Sequence, residues 1–320
     1  MRCGIVAVVL TCFVSAATGQ TSGPKPAAAF SSGNSIVLVS KAGETISTIK
    51  LPVGVGEFSF SPDLKELAVV VPHHDKSGGK MYLYSLESRR LQPIPAQSVS
   101  PGSAKSEVYS EPQFSSDGTK LFFNTHPQAE GDLYETSGPI AELDLKSLRA
   151  RAFQWSSGLV TDGFLSSPNG REFLLWDEEK VIEPNGTTLF DLRDFSLDAA
   201  FKWALDVAWI GNSCILYQAG KSPNSRVKGE ISYFVLQLKS LKSFSAPKII
   251  GLSDKELAGV VSYRYPYAVV KSTTDSVANQ RPEYFLISPD GTRTKLTLGD
   301  ATVARVLPSD LSDDLPTACR

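Results

Sequence analysis

The feature that most limits what this chain can fold into is a turn that keeps returning. Phe58-Ser59-Phe60 runs through Ser61-Pro62-Asp63-Leu64 into the apolar run Leu67-Ala68-Val69-Val70-Val71. Gln113-Phe114 runs through Ser115-Ser116-Asp117-Gly118 into Leu121-Phe122-Phe123. Phe164-Leu165-Ser166 runs through Ser167-Pro168-Asn169-Gly170 into Phe173-Leu174-Leu175-Trp176. Two weaker copies follow, around Ile210-Gly211-Asn212-Ser213 before Cys214-Ile215-Leu216-Tyr217, and around Arg264 to Pro266 before Tyr267-Ala268-Val269-Val270. Pro presets φ for a turn, Asp or Asn accepts a nearby backbone N–H, and Gly takes the positive-φ position that returns the chain antiparallel to itself. Each copy therefore predicts a hairpin, and no long stretch keeps a helical period.

Each hairpin has candidates for two further strands. Met81-Tyr82-Leu83-Tyr84, Ile140-Ala141-Glu142-Leu143, Tyr233-Phe234-Val235-Leu236 and Tyr284-Phe285-Leu286-Ile287 are the third strands. Short turns such as Ser288-Pro289-Asp290-Gly291 and Pro184-Asn185-Gly186 then lead to an edge strand carrying Arg or Lys. Four antiparallel strands in roughly 40–50 residues is the pattern of a propeller blade. The expected fold is an all-β propeller with complete blades near 55–95, 109–155, 160–192, 203–250 and 258–298. Ile36-Val37-Leu38-Val39 and Thr45 to Ile49 at one end, with Thr302 to Leu307 at the other, make a sixth blade closed by both termini. Closure removes open sheet edges. Seven blades is the alternative count. The expected division is a signal peptide over 1–19, a linker over 20–34, one propeller domain over 35–312 and a tail over 313–320.

The Phe60-Ser61-Pro62-Asp63 and Phe114-Ser115-Ser116-Asp117-Gly118 turns, with Ser167-Pro168-Asn169-Gly170 as a near match, resemble those of the TolB-like, WD-repeat-related propeller family. The resemblance covers the propeller and not the separate N-terminal domain of TolB itself. It implies a scaffold used for many tasks, among them periplasmic scaffolds, the non-catalytic domain of prolyl-peptidase-type enzymes, and some lyases and lactonases. A fold of this kind does not assign its own work.

Met1-Arg2 followed by Gly4 to Leu10 and the small residues up to Gly19 reads as a secretory signal, cleaved near Ala16 or Gly19. No other stretch approaches the about twenty apolar residues of a membrane span. The expected location is periplasmic or secreted, as a monomer. Of four cysteines, Cys3 and Cys12 leave with the signal, so Cys214 and Cys319 remain. In an oxidising compartment they can pair, for up to about 4–5 kcal/mol by loop-closure arithmetic. The other reading is a buried free Cys214 and a Cys319 on a frayed end. Lys and Arg (32) nearly balance Asp and Glu (34), which gives no electrostatic reason for a nucleic-acid partner.

Nucleophile-elbow, zinc-protease, phosphate-loop and dinucleotide patterns are absent. The histidines are only three, His73, His74 and His126. His73 and His126 both fall just past the second strand of neighbouring blades. With Asp75 or Glu111 they form the candidate metal set. Against it, equivalent loops of neighbouring blades lie about 10 Å or more apart, too far for bonds near 2 Å to one ion. No catalytic residue and no cofactor is therefore expected. Trp155, Trp176, Trp203 and Trp209 read as packing between blades. The segments Pro72 to Lys80 and Gly220 to Gly229 read as solvated loops or the rim of a partner site. The expected function is an exported, non-catalytic module that binds a protein or a cell-envelope polymer. The alternative is a small-molecule or metal-dependent lyase, lactonase or hydrolase working at the channel mouth.

Overall fold

The computed structural model describes residues 25–72, 78–94, 108–126, 138–153, 163–167, 169–175, 180–191, 203–220, 231–240, 242–245, 260–264, 267–271, 283–288, 291–296, 303–306 and 319. Among these, the regular elements are strands, in four antiparallel four-stranded sheets and one eight-stranded sheet in which two successive quartets are joined by the single pair Gly79↔Tyr109. Chain order begins with β1 (Ala28–Ser32), β2 (Ser35–Val39) and β3 (Thr45–Lys50). The second quartet is β4 (Phe58–Phe60), β5 (Glu66–Pro72), β6 (Gly79–Ser85) and β7 (Leu91–Pro93). The third is β8 (Val108–Phe114), β9 (Lys120–His126), β10 (Ile140–Asp144) and β11 (Arg149–Ala152). The fourth is β12 (Phe164–Ser166), β13 (Phe173–Leu175), β14 (Lys180–Ile182) and β15 (Thr188–Asp191). The fifth is β16 (Trp203–Ile210), β17 (Cys214–Gly220), β18 (Ile231–Gln237) and β19 (Lys242–Ser245). The sixth is β20 (Val260–Arg264), β21 (Tyr267–Lys271), β22 (Tyr284–Ile287) and β23 (Arg293–Leu296). The last strand, β24 (Val303–Val306), returns to the start and pairs with β1, from Ala28↔Val306 to Ser31↔Val303.

The five hairpins expected from the turn copies are β4–β5, β8–β9, β12–β13, β16–β17 and β20–β21. Their turns are built as the residue types dictate. In the first three, the Ser61, Ser115 and Ser167 hydroxyls donate to Asp63, Asp117 and Asn169 at 2.6–2.7 Å. Those acceptors also take the backbone N–H two residues on, from Lys65, Thr119 and Arg171. Gly118 and Gly170 sit at φ +67° and +68°. Leu64 takes the same positive-φ place at 58° although it is not glycine. Its side chain packs on the apolar cluster between the first two quartets, which compensates the backbone strain.

One strand lies where the sequence reading places a linker. β1 occupies Ala28–Ser32, inside 20–34. Its Ala-Ala-Phe start carries little strand propensity, but small side chains suit the tight space it fills. Ala28, Ala29 and Phe30 are all essentially buried. With β1 in place the first quartet is complete, in the order β24-β1-β2-β3.

The core lies between the quartets rather than within one layer. Ala29, Ile36, Leu51 and Val55 pack with Phe58, Phe60, Leu67 and Val69 across the first and second quartets. Val70 and Met81 meet Tyr109 and Phe123 across the second and third. Phe122 and Ile140 meet Phe164 and Phe173 across the third and fourth, with the Phe122 and Phe173 rings edge to face at 5.1 Å. Leu174 and Val181 meet Trp209 and Tyr217 across the fourth and fifth. Ala28 and Phe30 meet Val269, Leu286 and Leu296 of the sixth. The first strands also adjoin one another, β8 lying against β4 and β12, and β20 against β16 and β24.

Connection lengths follow the antiparallel alternation. Turns from first to second strand in the second to sixth quartets, and from third to fourth strand in all six, are short. The long connections are Pro93 to Val108, His126 to Ile140, Ala152 to Phe164, Asp191 to Trp203, Gly220 to Ile231, Ser245 to Val260 and Lys271 to Tyr284. All of them join the opposite strand ends. No helix among the described residues is long and apolar enough to cross a membrane.

Candidate functional site

A group of buried and half-buried polar side chains gathers around the start of β8. The β8–β9 register shifts between Ser110 and Gln113, so Glu111 and Pro112 form a bulge. Pro112 has no N–H to give the ladder, which is why the bulge falls there. Glu111 adopts φ +53°, a conformation that costs energy for a side chain of its type. The bulge turns its carboxylate toward the next quartet, where it accepts the Phe164 N–H at 2.8 Å. The Glu111 N–H in turn donates to the carboxylate of Glu57, just ahead of β4. Two carboxylates thus fasten the first strands of three successive quartets.

Neighbouring side chains continue this fastening. Gln113 donates to the Phe164 carbonyl at 2.7 Å and accepts the Ser166 N–H at 2.8 Å. Trp209 Nε1–H donates to the Leu165 carbonyl at 3.0 Å, joining the fourth and fifth quartets. Gly163 leaves room for the Glu111 carboxylate, because a Cβ there would stand 2.8 and 2.9 Å from its two oxygens and the side chain would have to shift.

Ser110 and His126 share a hydrogen bond of 2.7 Å between Oγ and Nε2. That is the spacing of a nucleophile and its base. Both are buried, however, His126 at 1% and Ser110 at 3% exposure, which keeps a substrate from the hydroxyl. In this arrangement the pair fixes the free ends of β8 and β9 to each other. Of the candidate metal set, His126 and Glu111 are placed in these bonds, and His73, His74 and Asp75 lie outside the described residues. Among the described residues no three His, Cys, Asp or Glu side chains come together as metal ligands would.

At the tight-turn ends, hydrogen bonds hold three carboxylates below the usual aspartate value. The Ser61 hydroxyl and then the Lys65 N–H lower Asp63. The Ser115 hydroxyl, the Thr119 N–H and the Thr119 hydroxyl lower Asp117. The Ser147 N–H and hydroxyl lower Asp144. All three carboxylates build turns. Trp155 and Trp176 lie outside the described residues, whereas Trp209 is buried between quartets.

Cys214, at the start of β17, is joined to Cys319 by a disulfide, and both residues are fully buried. Sequence reasoning missed the Glu57–Glu111–Phe164 fastening. The one visible signal was Pro112 inside an otherwise strand-like run, which marks a bulge.

No family model matches the chain, and no curated protein matches it in sequence. Solved structures do resemble it. A protein of unknown function from Bacteroides caccae is 12% identical, with 89% of this chain and 100% of that one covered and a TM-score of 0.50. An oligogalacturonate lyase in complex with manganese is 14% identical over 83% of this chain and 71% of its own, also with a TM-score of 0.50. The β-propeller domain of Myceliophteria thermophila Cps50 (Swd1) is 10% identical over 68% and 69%, with a TM-score of 0.43. The chain spans 45% of Kuenenia stuttgartiensis hydrazine synthase, at 12% identity and a TM-score of 0.34 over 46% of itself. At such identities the likeness concerns architecture alone, and the chain is an all-β protein of propeller-like fold.

Proposed function

We propose that the chain is an exported, non-catalytic propeller of six blades that binds a protein or a cell-envelope polymer. The blades are the six quartets, and the ring closes where β24 lies beside β1. The apolar clusters that join the first to fifth quartets in succession support this reading, as does the cluster joining the first quartet to the sixth. Export is read from the first nineteen residues, with periplasmic or secreted location as its consequence.

The observation that carries the binding reading is the asymmetry of connections. The seven longest connections all join one set of strand ends, which they share with a few short ones such as β1 to β2 and β13 to β14, and the opposite ends carry only short turns. Long connections on a rigid scaffold are where recognition is built. The reactive-looking groups near them, Ser110, His126, Glu57 and Glu111, are spent on holding strands together.

The test is recovery of a defined envelope partner from an exporting host. Replacing 127–137 with a Gly/Ser segment abolishes that recovery, and Asp117→Asn on the opposite turns preserves it. Metal found by elemental analysis of the purified protein, with a turnover activity that His126→Ala abolishes, would instead establish the enzyme reading.

A further inference from the structure

We propose that Asn185-Gly186, in the turn between β14 and β15, is a self-modifying site where the Asn185 amide converts through a cyclic imide to aspartate and isoaspartate. The dipeptide Asn-Gly occurs twice in the chain, at Asn169-Gly170 and at Asn185-Gly186. The chemistry within the dipeptide is the same at both, so the surroundings decide which one reacts. The co-reactant is water. The site lies at the strand ends opposite the long connections and does not depend on the binding reading.

Ring closure needs an accessible asparagine and a following residue without a Cβ to hinder the approach of its nitrogen. Asn185 is exposed, and Gly186 adopts φ +86°. The Thr187 N–H donates to Asn185 Oδ1 at 2.8 Å, on the oxygen that gains negative charge when Cγ is attacked. Asn185 Nδ2, the leaving nitrogen, donates to the Glu183 carboxylate at 3.1 Å. The Gly186 nitrogen gives its proton to hydroxide and bonds to Asn185 Cγ. The Cγ–Nδ2 bond then breaks, and the nitrogen leaves as ammonia with a proton from water. A water molecule opens the ring at either carbonyl, so the net change is one water consumed, one ammonia released and one carboxylate gained.

The fold sets the barrier. The Gly186 N–H donates to the Glu183 carbonyl at 2.8 Å, so the turn must open before that nitrogen attacks. The hydrogen bonds that hold this turn run among Glu183, Asn185, Gly186 and Thr187, beside a strand at the edge of its sheet. At Asn169 the equivalent opening meets more resistance. The Gly170 N–H donates to the Ser167 carbonyl, and the Ser167 hydroxyl donates to Asn169 Oδ1 at 2.7 Å. The Asn169 N–H donates at 2.8 Å to Oδ1 of Asn212, which belongs to the fifth quartet. Gly170 also sits so close to Phe122 of the third quartet that a Cβ would stand 3.2 Å from its ring. Asn169 is thus clamped between quartets, and Asn185 is held by local bonds of the kind that open first.

The test incubates the full mature chain, folded and in urea, at neutral and mildly alkaline pH, and maps its peptides by mass spectrometry. In the folded chain the peptide holding Asn185 gains about 1 Da and splits into aspartyl and isoaspartyl forms. Its rate rises with pH and exceeds that at Asn169 about tenfold or more. In urea the two rates converge, because the fold no longer separates them. Asn185→Gln, whose longer side chain closes its ring far more slowly, removes the change. The comparison of the two wild-type sites carries the test should that variant fail to fold. Equal conversion at both sites in the folded chain, or conversion of Asn185 in urea with none in the folded chain, overturns the proposal. A gap between the sites that persists unchanged in urea assigns it to flanking sequence and overturns it as well.

Discussion

The carboxylate of Glu111 accepts the backbone N–H of Phe164 at 2.8 Å, joining the first strands of two successive quartets. A hydrogen bond with a charged partner contributes about 1.5–3 kcal/mol, so Glu111→Ala lowers unfolding free energy by about that amount. Gly163→Ala places a methyl against both carboxylate oxygens and dislodges the same bond. In the Glu111→Ala background, Gly163→Ala becomes neutral or slightly stabilising, since the clash is gone and the unfolded chain loses freedom. Urea denaturation of the two single variants and the double variant measures this change of sign.

Ser110→Ala leaves the buried His126 Nε2 without its hydroxyl and costs about 1–3 kcal/mol. Removing both polar partners, as in Ser110→Ala/His126→Leu, costs less than the sum of the single changes. A midpoint shift in denaturant with an unchanged slope identifies the pair as structural.

Asp63 and Asp117 are held below their usual value, chiefly by the Ser61 and Ser115 hydroxyls. A carboxyl whose folded value is depressed contributes stability above its unfolded value, near 3.8. That contribution disappears as pH falls through the lower folded value. Asp63→Asn/Asp117→Asn therefore flattens the acid limb of the stability curve below about pH 4. Thermal melts from pH 2 to 7 test it. Asn169 already fills the equivalent place in the third turn without titrating, and accepts the same two kinds of donor.

Gly79→Ala prevents folding or costs more than about 3 kcal/mol, because a Cβ would lie 1.7 Å from the Val71 carbonyl oxygen. Gly79 is also the residue through which β6 pairs with Tyr109 of β8, joining the second and third quartets. Circular dichroism and a denaturant midpoint decide the outcome.

Much of the fold was legible because it is carried by local chemistry. Ser61, Asp63, Ser115, Asp117 and Gly118 act within a few residues of themselves, so their turns and hairpins can be read directly. Third strands such as Ile140–Asp144 and Tyr284–Ile287 declare themselves by apolar runs. β1 did not, since Ala28 and Ala29 are chosen by the space between sheets and not by strand propensity. Leu64 broke the glycine rule for a tertiary reason, its packing on the first core cluster. The buried polar site was hidden for the same cause. Glu57, Glu111 and Phe164 meet across more than fifty positions each time, and nothing local announces such a meeting.

The proposed arrangement of the quartets about a common axis underlies the binding reading of this chain. A crystal structure of the mature protein tests it most directly. The account predicts six four-stranded sheets around one axis, β24 hydrogen-bonded to β1, and every long connection on a single face. Two stacked sheets, or β24 paired with any strand other than β1, would contradict it.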